Sequence, residues 1–514
     1  MLSSLGFLTR GSGYRYTLLG ARPSTKWIPR RRNCLLLCGL VLIACAGVAV
    51  LSFVDFETLP VWAAPKTPSI HDLPPVYSLY HERELQLPQQ QWNRTKHEEH
   101  EKLFYVSGPL TDGGWGFAFQ EHLLHAYLAY RLGRTFVFDN YTLKRENSGY
   151  TRSFGYAIPS EIPYTALIRG PMVGELWGPG YNHVAPAVTK TYFDRICTSR
   201  TNFFVYDLYN NVKIEQYRKA DMIVNAWSDW TNRVHEIPCV EAWGGPIFDH
   251  WQTFDIPGSL DPIWPDLIST PLLTRFSWSP LIELAFDTNR DLFFPALSLA
   301  RTPYLSALPY NTSASAFATT LNAARYPPIP GLMAIHVPKA HNYAAHCTFV
   351  ADNGAPFVSV NAFSSLPDAA TGIPDRTNQS PGEGTTSPSR REAAALRRRC
   401  YPSIPGIVAK VRAVRATAAS AGVRLLHIMT DGGPAYAGRL KRALWDAFPG
   451  EWDSVSSSED LVLNWEQRFV SEAVDALVAQ RAQVFIGNGF SMLTANAVIM
   501  RLANNFSTES TRFW

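Results

Sequence analysis

The stretch that most constrains the fold is residues 484–501, VFIGNGFSMLTANAVIMR. Its first apolar residues predict a short buried strand, its glycines a turn, and its later apolar positions a helix that opens near Ser491. Glycine permits a close approach to a ligand, and the start of a helix offers N–H groups that suit a phosphate. The stretch therefore predicts an anion-binding corner. A strand-to-helix corner without a ligand is the alternative, since a lone glycine turn is a weak motif.

The length and charge of the chain narrow the class of protein. With 514 residues, of which 46% are hydrophobic, the chain can bury two sizeable cores. The formal charge is +4, but the first 54 residues hold seven basic residues and no acidic one, so that subtracting seven leaves about −3 for the rest. The basic character belongs to the N-terminal tail, and nothing indicates a nucleic-acid interface.

Residues 34–54 form a run of 21 residues without a charge, long enough to cross the hydrocarbon core of a bilayer. Arginines precede the run and acidic residues follow it, which predicts a cytoplasmic N-terminus. A cleaved signal peptide is the alternative, although its apolar core would be shorter. We predict a cytoplasmic tail over 1–33, an anchor over 34–54 and a stem over 55–99. The expected protein is single-pass, type II and resident in the Golgi or endoplasmic reticulum.

Sequons and cysteines favour a lumenal location for the bulk of the chain. Five Asn-x-Ser/Thr sequons follow the apolar run, at Asn93, Asn140, Asn311, Asn378 and Asn505. Outside that run lies an even number of cysteines, which suits an oxidising compartment: Cys197, Cys239, Cys347 and Cys400. Of the three pairings that four cysteines allow, we favour Cys197–Cys239 and Cys347–Cys400 because each closes a local loop. Free buried thiols are the alternative.

Two regions of the chain alternate strands with helices. The first predicts a strand over 103–106, a glycine-rich loop, a helix over 117–132 and a strand over 135–138, which makes the two strands parallel neighbours. The second begins near residue 331 and ends in the 484–501 stretch. We predict an α/β protein with domains over 100–325 and 326–514, each with a parallel sheet covered on both sides. A Ser-, Thr-, Pro- and Gly-rich insertion over 352–391 is expected to be disordered.

Three stretches together resemble the superfamily of GDP-fucose-dependent protein O-fucosyltransferases, and most closely its fungal membrane-anchored members. They are residues 113–138 (GGWGFAFQEHLLHAYLAYRLGRTFVF), residues 333–347 (MAIHVPKAHNYAAHC) and residues 427–501, which open with HIMTDGG. The resemblance implies a GT-B-like fold, in which two Rossmann-like domains face each other across a cleft. It also implies transfer of fucose from GDP-fucose to a hydroxyl of a protein or glycan, with inversion and with no metal or other cofactor.

The resemblance also implies substrate-binding residues on both domains. Gly114 and Gly116 match the glycine loop of the family's first domain. Gly489, Phe490 and Ser491 match the segment that stacks near the base and binds the diphosphate. Helix starts near Gly116 and Ser491 are therefore expected to help neutralise the leaving group.

His336 matches the histidine that opens the family's His-x-Arg strand end, and Asp431 matches an acidic residue at the guanine or ribose. The family's arginine is absent, because Pro338 occupies its place and Lys339 follows. Lysine lacks the bidentate fork of arginine, and loss of such a clamp costs on the order of 2.7–4 kcal/mol in the transition state. We predict Lys339 as the substitute catalytic residue. A catalytically weak or inactive lumenal pseudoenzyme that binds a nucleotide or glycoprotein is the alternative.

Without the resemblance, these residues are typical of a turn aspartate, a hydrogen-bonded histidine and a solvated lysine. A zinc site in a lumenal hydrolase is the weakest alternative, since the spacing of His336, His341, His346 and Cys347 matches no common ligand pattern. Aromatic loops at 177–183 and 227–230 suit either an acceptor or a hydrophobic core. The expected partners are a nucleotide sugar, an acceptor and a membrane.

Overall fold

The computed structural model describes residues 73–91, 102–108, 114–143, 149–153, 156–181, 183–211, 219–248, 253–308, 322–340, 342–369 and 388–514. The predicted tail and anchor, and much of the predicted stem, lie outside these ranges. Within the described ranges, no helix combines the length and the apolar character that a membrane span requires. The type II topology and its compartment therefore stay predictions.

Up to residue 325, helices surround short strands. The helices are α1 (Ser78–Leu85), α2 (Trp115–Arg131), α3 (Lys190–Ile196), α4 (Val205–Asn211), α5 (Ala220–Arg233), α6 (Trp264–Leu267), α7 (Pro271–Thr274), α8 (Pro280–Thr288), α9 (Ala296–Leu299) and α10 (Asn322–Arg325). The strands are β1 (Leu103–Val106), β2 (Thr135–Phe138), β3 (Tyr141–Thr142), β4 (Tyr150–Ser153), β5 (Tyr156–Pro159), β6 (Glu161–Ile162), β7 (Ile168–Arg169), β8 (Val188–Thr189), β9 (Thr201–Phe204), β10 (Cys239–Trp243) and β11 (Ser277–Trp278).

Five of these strands form a parallel sheet in the order β8-β2-β1-β10-β9. In this sheet Leu103 of β1 lies opposite Thr135 and Cys239. All four residues of β1 and of β2 are buried, as expected for strands that are covered on both faces. The predicted strand–loop–helix–strand unit over 103–138 is confirmed, and its helix is α2.

The rest of the chain builds a second parallel sheet. Its strands are β12 (Ile329–His336), β13 (Leu425–Met429), β14 (Ser454–Ser457), β15 (Ala482–Gly487) and β16 (Thr511–Phe513). The helices are α11 (Tyr343–Asn353), α12 (Arg390–Cys400), α13 (Ile404–Arg415), α14 (Gly433–Ala447), α15 (Ser471–Arg481) and α16 (Met492–Ala503). The strands lie in the order β14-β13-β12-β15-β16, so β13 and β14 lie on one side of β12 and the later strands β15 and β16 lie on its other side. Open parallel sheets bind ligands at such a switch point, which here lies between β12 and β15.

The predicted disordered insertion begins too early. Residues 352–369 are described, and much of this segment packs against the second sheet. Asp368 accepts hydrogen bonds from Arg512 Nε at 2.8 Å and pairs with Lys410 Nζ at 2.9 Å. Burial alone would raise the pKa of Asp368, but hydrogen bonds from these two basic side chains outweigh it and lower the pKa to about 2. Composition misled here because a polar stretch can still be anchored by a few buried and charged contacts.

The predicted boundary at 325/326 does not separate two independent cores. Residues Ile70–Trp514 form one compact unit, and a single cluster of buried apolar residues draws on both sheets. Helix α2 is buried along most of its length, and Gln120 Nε2 donates to Asn496 Oδ1 of α16 at 2.8 Å. A helix whose residues are buried on nearly all sides must be covered by neighbouring elements on more than one side. Helix α2 is therefore shared between its own sheet and the second half.

Candidate functional site

The carboxyl edges of the two parallel sheets meet at the first turns of α2 and α16. Helix α2 follows β1, and α16 follows β15, so each helix begins at the carboxyl end of its strand. The approach is close, because a Cβ built at Gly116 would lie 2.9 Å from the backbone nitrogen of Leu493. Asn496 Nδ2 also donates to the Gly116 carbonyl at 3.1 Å. Gly116 therefore serves helix packing, whereas at Gly114, which caps α2, a Cβ would meet nothing within 4 Å.

The turn over residues 487–491 uses its own polar groups. Thr494 Oγ1 accepts from the Asn488 N–H at 3.0 Å, and Asn488 Oδ1 accepts from the Phe490 N–H at 3.1 Å. Ser491 caps α16, because its Oγ accepts from the Thr494 N–H. The predicted strand, turn and helix are present. However, the N–H groups of Asn488 and Phe490 are bonded within the turn, so these two amides are not free for the anion that the sequence predicts at this corner.

Gly489 and Phe490 are held by the 352–369 segment. The Val358 N–H donates to the Gly489 carbonyl at 2.9 Å, and a Cβ at Gly489 would collide with the ring of Phe357. The Phe490 ring is 4% exposed and meets the Phe357 ring edge to face, with 5.0 Å between centroids. In this arrangement the Phe490 ring is part of the core rather than a platform open to a base.

His336 and Asp431 end two neighbouring strands of the second sheet. His336 Nδ1 lies 2.8 Å from Thr494 Oγ1, and the His336 carbonyl accepts from the indole N–H of Trp514 at 2.7 Å. Asp431 Oδ1 accepts from the backbone N–H of Lys339 at 2.5 Å. Burial lowers the pKa of His336 to about 4, although the negative charge of Asp431 acts to raise it. The imidazole is therefore neutral at pH 7 and supplies no charge to a diphosphate.

The side chain of Lys339 is already bound within the chain. Its ammonium donates to the Pro402 carbonyl at 3.1 Å and lies 3.2 Å from the centroid of the Tyr401 ring. A second ring, that of Tyr436, lies 5.5 Å away. Burial lowers the pKa of Lys339 to about 8, although the charge of Asp431 opposes this. Lys339 is thus a cation at pH 7 with part of its donor capacity in use.

Sequence reasoning missed Glu472, at the start of α15. Its side chain is exposed to solvent, yet burial is the largest cause that raises its pKa to about 7, followed by the charges of Asp431 and Asp475. Burial raises the pKa of Tyr141, which belongs to the first half of the chain, and the charge of Glu472 raises it further. Nothing in the local sequence distinguishes this glutamate from a solvated one.

A small pocket lies at the carboxyl ends of β1 and β2. Its lining includes Glu121, His125, Asp139 and Tyr141. His125 Nε2 is buried and has no hydrogen-bond partner among the described residues, and burial lowers the pKa of this histidine to about 3. The described part of the chain holds no group of three or more His, Cys, Asp or Glu residues arranged for a metal ion. His341, named for the zinc alternative, lies outside the described residues.

The structure pairs Cys197 with Cys239 and Cys347 with Cys400, the two pairings that local loops favour. Asn488 Nδ2 donates to the Cys400 carbonyl at 2.7 Å, so the second disulfide adjoins the turn at the site.

The first tryptophan of each predicted aromatic loop is buried, and residues 227–230 belong to α5 rather than to a loop. Trp177 and Trp227 are 4% and 0% exposed.

Of the predicted sequons that are described, Asn505 is exposed, while Asn140 Nδ2 donates to Glu161 at 3.1 Å.

No protein-family model and no curated protein matches this chain. Among solved structures, it is similar to the fucosyltransferases POFUT1 and NodZ. POFUT1 in complex with GDP is 12% identical, with a TM-score of 0.45 over 80% of this chain and 99% of that chain. POFUT1 with GDP-fucose is 14% identical, with a TM-score of 0.44 over 81% and 98%. NodZ alpha-1,6-fucosyltransferase soaked with GDP-fucose is 13% identical, with a TM-score of 0.34 over 78% and 93%. TM-scores below 0.5 support no inference about chemistry.

Proposed function

We propose that this chain is a GT-B-like glycosyltransferase that transfers fucose from GDP-fucose, with inversion, to a hydroxyl of a protein or glycan. One observation carries the proposal. Three neighbouring strands of the second sheet carry residues of the candidate site at their carboxyl ends: β12 ends at His336, while Asp431 follows β13 and Ser491 follows β15. The motif resemblance assigns these residues to the nucleotide. His336 and Ser491 flank the switch point between β12 and β15, where such sheets bind ligands.

In this proposal, charge on the leaving diphosphate is the main electrostatic problem. Neutral His336 and the bonded turn amides leave Lys339 as the cation that the motif places at this edge. Its ammonium would exchange the Pro402 carbonyl for a phosphate oxygen when the donor binds. Since the pKa of Lys339 is about 8, the ammonium form predominates at pH 7.

Two measurements on the purified protein test the proposal. Calorimetry measures the binding of GDP and GDP-fucose, and an activity assay measures the release of GDP from GDP-fucose. Lys339→Ala is expected to lower the rate of GDP release at least tenfold, and Asp431→Ala to weaken nucleotide binding. Lys441→Ala is the matched control, because Lys441 pairs with Asp460 on the surface of the same half. A protein that binds neither nucleotide would refute the proposal.

A second candidate function is a lumenal pseudoenzyme that binds a nucleotide without turnover. It is favoured by the contacts that occupy Lys339, since an ammonium held by Pro402 and Tyr401 is not poised for a phosphate. This candidate predicts measurable GDP affinity, no release of GDP from GDP-fucose, and an affinity that Lys339→Ala leaves unchanged. Turnover by the unmodified protein excludes it.

We also propose the finer features that the sequence predicts: a type II anchor over 34–54, a lumenal catalytic unit in the Golgi or endoplasmic reticulum, and turnover without a metal. A lumenal location predicts a glycan on Asn505, which is exposed. Glycosidase treatment of the protein from a eukaryotic host tests the first two features. Addition of a chelator to the GDP-release assay tests the third, and a loss of rate that added metal restores would contradict it.

A further inference from the structure

We propose that a cavity at the amino end of the first sheet binds an acidic sugar, that is, a sugar ring that carries a carboxylate or a sulfate. The cavity has a volume of about 520 Å³, which is within the range of small-molecule sites. Its lining includes charged and aromatic side chains from four segments of the first half: Lys102, Tyr130, Arg131, Arg134, His183 and Asp266. This inference goes beyond the proposed function and does not depend on it.

The cavity lies away from the candidate nucleotide site. Helix α2 has 17 residues, so it is about 25 Å long. Its first turn contacts the second half through Gly116, whereas Tyr130 and Arg131 lie in its last turn. Lys102 directly precedes β1 and Thr135 opens β2, so both lie at the amino ends of strands whose carboxyl ends face the other way. A molecule in this cavity is therefore a second ligand and not the nucleotide.

The lining is positively charged. Its cations are Lys102, Arg131 and Arg134, and its carboxylate is Asp266, so with histidine neutral the net charge of the described lining is +2. Arg131 Nη1 donates to Asp266 Oδ2 at 2.8 Å. Within the described ranges, the Lys102 ammonium makes no hydrogen bond and no ion pair. The charge of Lys102 is thus available to a ligand, and the ligand that this lining favours is an anion.

Arg134 adds a buried charge. Its side chain is 3% exposed, and its two terminal nitrogens donate to the carbonyls of Ile237 at 2.9 Å and Val234 at 3.1 Å. Its Nε is buried without a hydrogen-bond partner, and no described carboxylate pairs with it. A buried cation without a counter-ion is costly, so an anion in the cavity would offset this cost. The two carbonyl bonds also hold the guanidinium in place before a ligand binds.

One wall of the cavity is aromatic. The Tyr130 ring stacks on the Trp177 ring, with 5.1 Å between centroids and 27° between planes, and Trp177 stacks on Tyr181 at 6.3 Å. Trp177 is buried, and its indole N–H donates to the carbonyl of Ala185, another lining residue, at 3.2 Å. The negative face of an aromatic ring attracts the polarised C–H bonds of a sugar ring. The aromatic stretch over 177–183 therefore fixes a wall that suits a sugar.

The two features together select the ligand. A bare anion needs the cations but not the aromatic wall, and a neutral sugar needs the wall but not the cations. A sugar with an anionic substituent uses both, and a uronic acid and a sulfated sugar present the same chemistry to this cavity.

The test measures binding to the purified full chain by calorimetry, with no nucleotide present. The probes are a disaccharide that contains glucuronic acid, 6-sulfated N-acetylglucosamine, the neutral counterpart of each, and inorganic sulfate. At least one acidic probe should bind about tenfold or more tightly than its neutral counterpart, and added salt should weaken its binding. The probe that binds identifies the anionic group as a carboxylate or a sulfate.

Two variants locate the binding. Lys102→Gln should weaken the binding of the acidic probe about tenfold, and Tyr130→Leu, which removes the ring but keeps apolar bulk, should weaken it about two- to tenfold. Lys219→Gln is the matched control, because Lys219 is an exposed lysine of the first half that does not line the cavity. If Lys102→Gln does not fold, Arg131→Gln takes its place, since the Arg131 side chain is 42% exposed.

Four outcomes overturn the inference. They are no binding of either acidic probe, equal binding of the neutral counterparts, inorganic sulfate that binds as tightly as the acidic sugar, and displacement of the acidic sugar by GDP. Binding that Lys102→Gln leaves unchanged overturns it as well. A protein that binds an acidic sugar but neither GDP nor GDP-fucose refutes the proposed function and supports this inference.

Discussion

The contact between Gly116 and the start of α16 leads to a sharp prediction about stability. The motif resemblance assigns Gly116 to nucleotide binding, whereas the structure places it against the backbone of the second half. A methyl group at position 116 would lie 2.9 Å from Leu493 N and 3.1 Å from the Met492 carbonyl carbon. These are backbone atoms of a buried helix, so they cannot move aside as the end of a side chain would. Gly116→Ala should therefore push α2 and α16 apart.

The magnitude follows from two opposing terms. Overpacking of a tight contact costs about 1–3 kcal/mol, while alanine gains up to about 1 kcal/mol over glycine in a helix. Gly438→Ala isolates the second term, because Gly438 lies within α14 and a Cβ there would meet nothing within 4 Å. We expect Gly438→Ala to stabilise the protein by roughly 0.5–1 kcal/mol. Gly116→Ala should be about 1–3 kcal/mol less stable than Gly438→Ala.

Urea unfolding of the purified proteins without nucleotide, followed by tryptophan fluorescence, measures both free energies. Calorimetry with GDP then separates the packing role from a nucleotide role. If Gly116→Ala is as stable as Gly438→Ala but binds GDP much more weakly, the packing argument is wrong and the assignment from the motif holds.

Three further predictions concern the surroundings of the site. Trp514→Phe keeps an aromatic ring, although a smaller one, and removes the indole N–H that donates to the His336 carbonyl. It should lower the free energy of unfolding by about 1–3 kcal/mol. Asp368→Asn should cost about 1–2 kcal/mol at pH 7. Because the folded pKa of Asp368 is about 2, below its usual value, this stabilisation is present above about pH 4 and is lost as the pH falls towards 2. Replacing Cys347 and Cys400 by serine should cost up to about 4 kcal/mol, since the bridge closes a loop with a sequence separation of 53.

Each of these predictions has its own check. Equilibrium unfolding at pH 7 measures the effects of Trp514→Phe and of the double serine variant. Trp445→Phe, at a half-exposed tryptophan, is the control for Trp514→Phe. Unfolding at a series of pH values tests the prediction for Asp368→Asn. A difference between Asp368→Asn and the unmodified protein that does not shrink below pH 4 would contradict the ion-pair account. Reduction of the unmodified protein opens both disulfides, so it should lower the free energy of unfolding at least as much as the double serine variant does. Equal stability of all three forms would contradict a stabilising role for the Cys347–Cys400 bridge.

Local patterns in the sequence predicted the elements that build the site. Periodicity and glycine placement identified β1, α2 and β2, as well as the strand, turn and helix over 484–501. These features depend on interactions between residues near each other in the chain, so a single sequence carries them. The even cysteine count and short loops also favoured the two disulfides that the structure contains.

What the sequence by itself determined is an α/β chain with parallel strands and with polar residues at the strand ends. Only the tertiary structure decided that α2 is shared between the sheets, that the amides of the turn are already bonded, and that Lys339 rests on Tyr401. It also brought the charges of Asp431 and Asp475 close enough to Glu472 to raise the pKa of that carboxyl. These contacts join residues dozens to hundreds of positions apart, and their energies depend on burial and on neighbouring charges. No local pattern records either of these quantities.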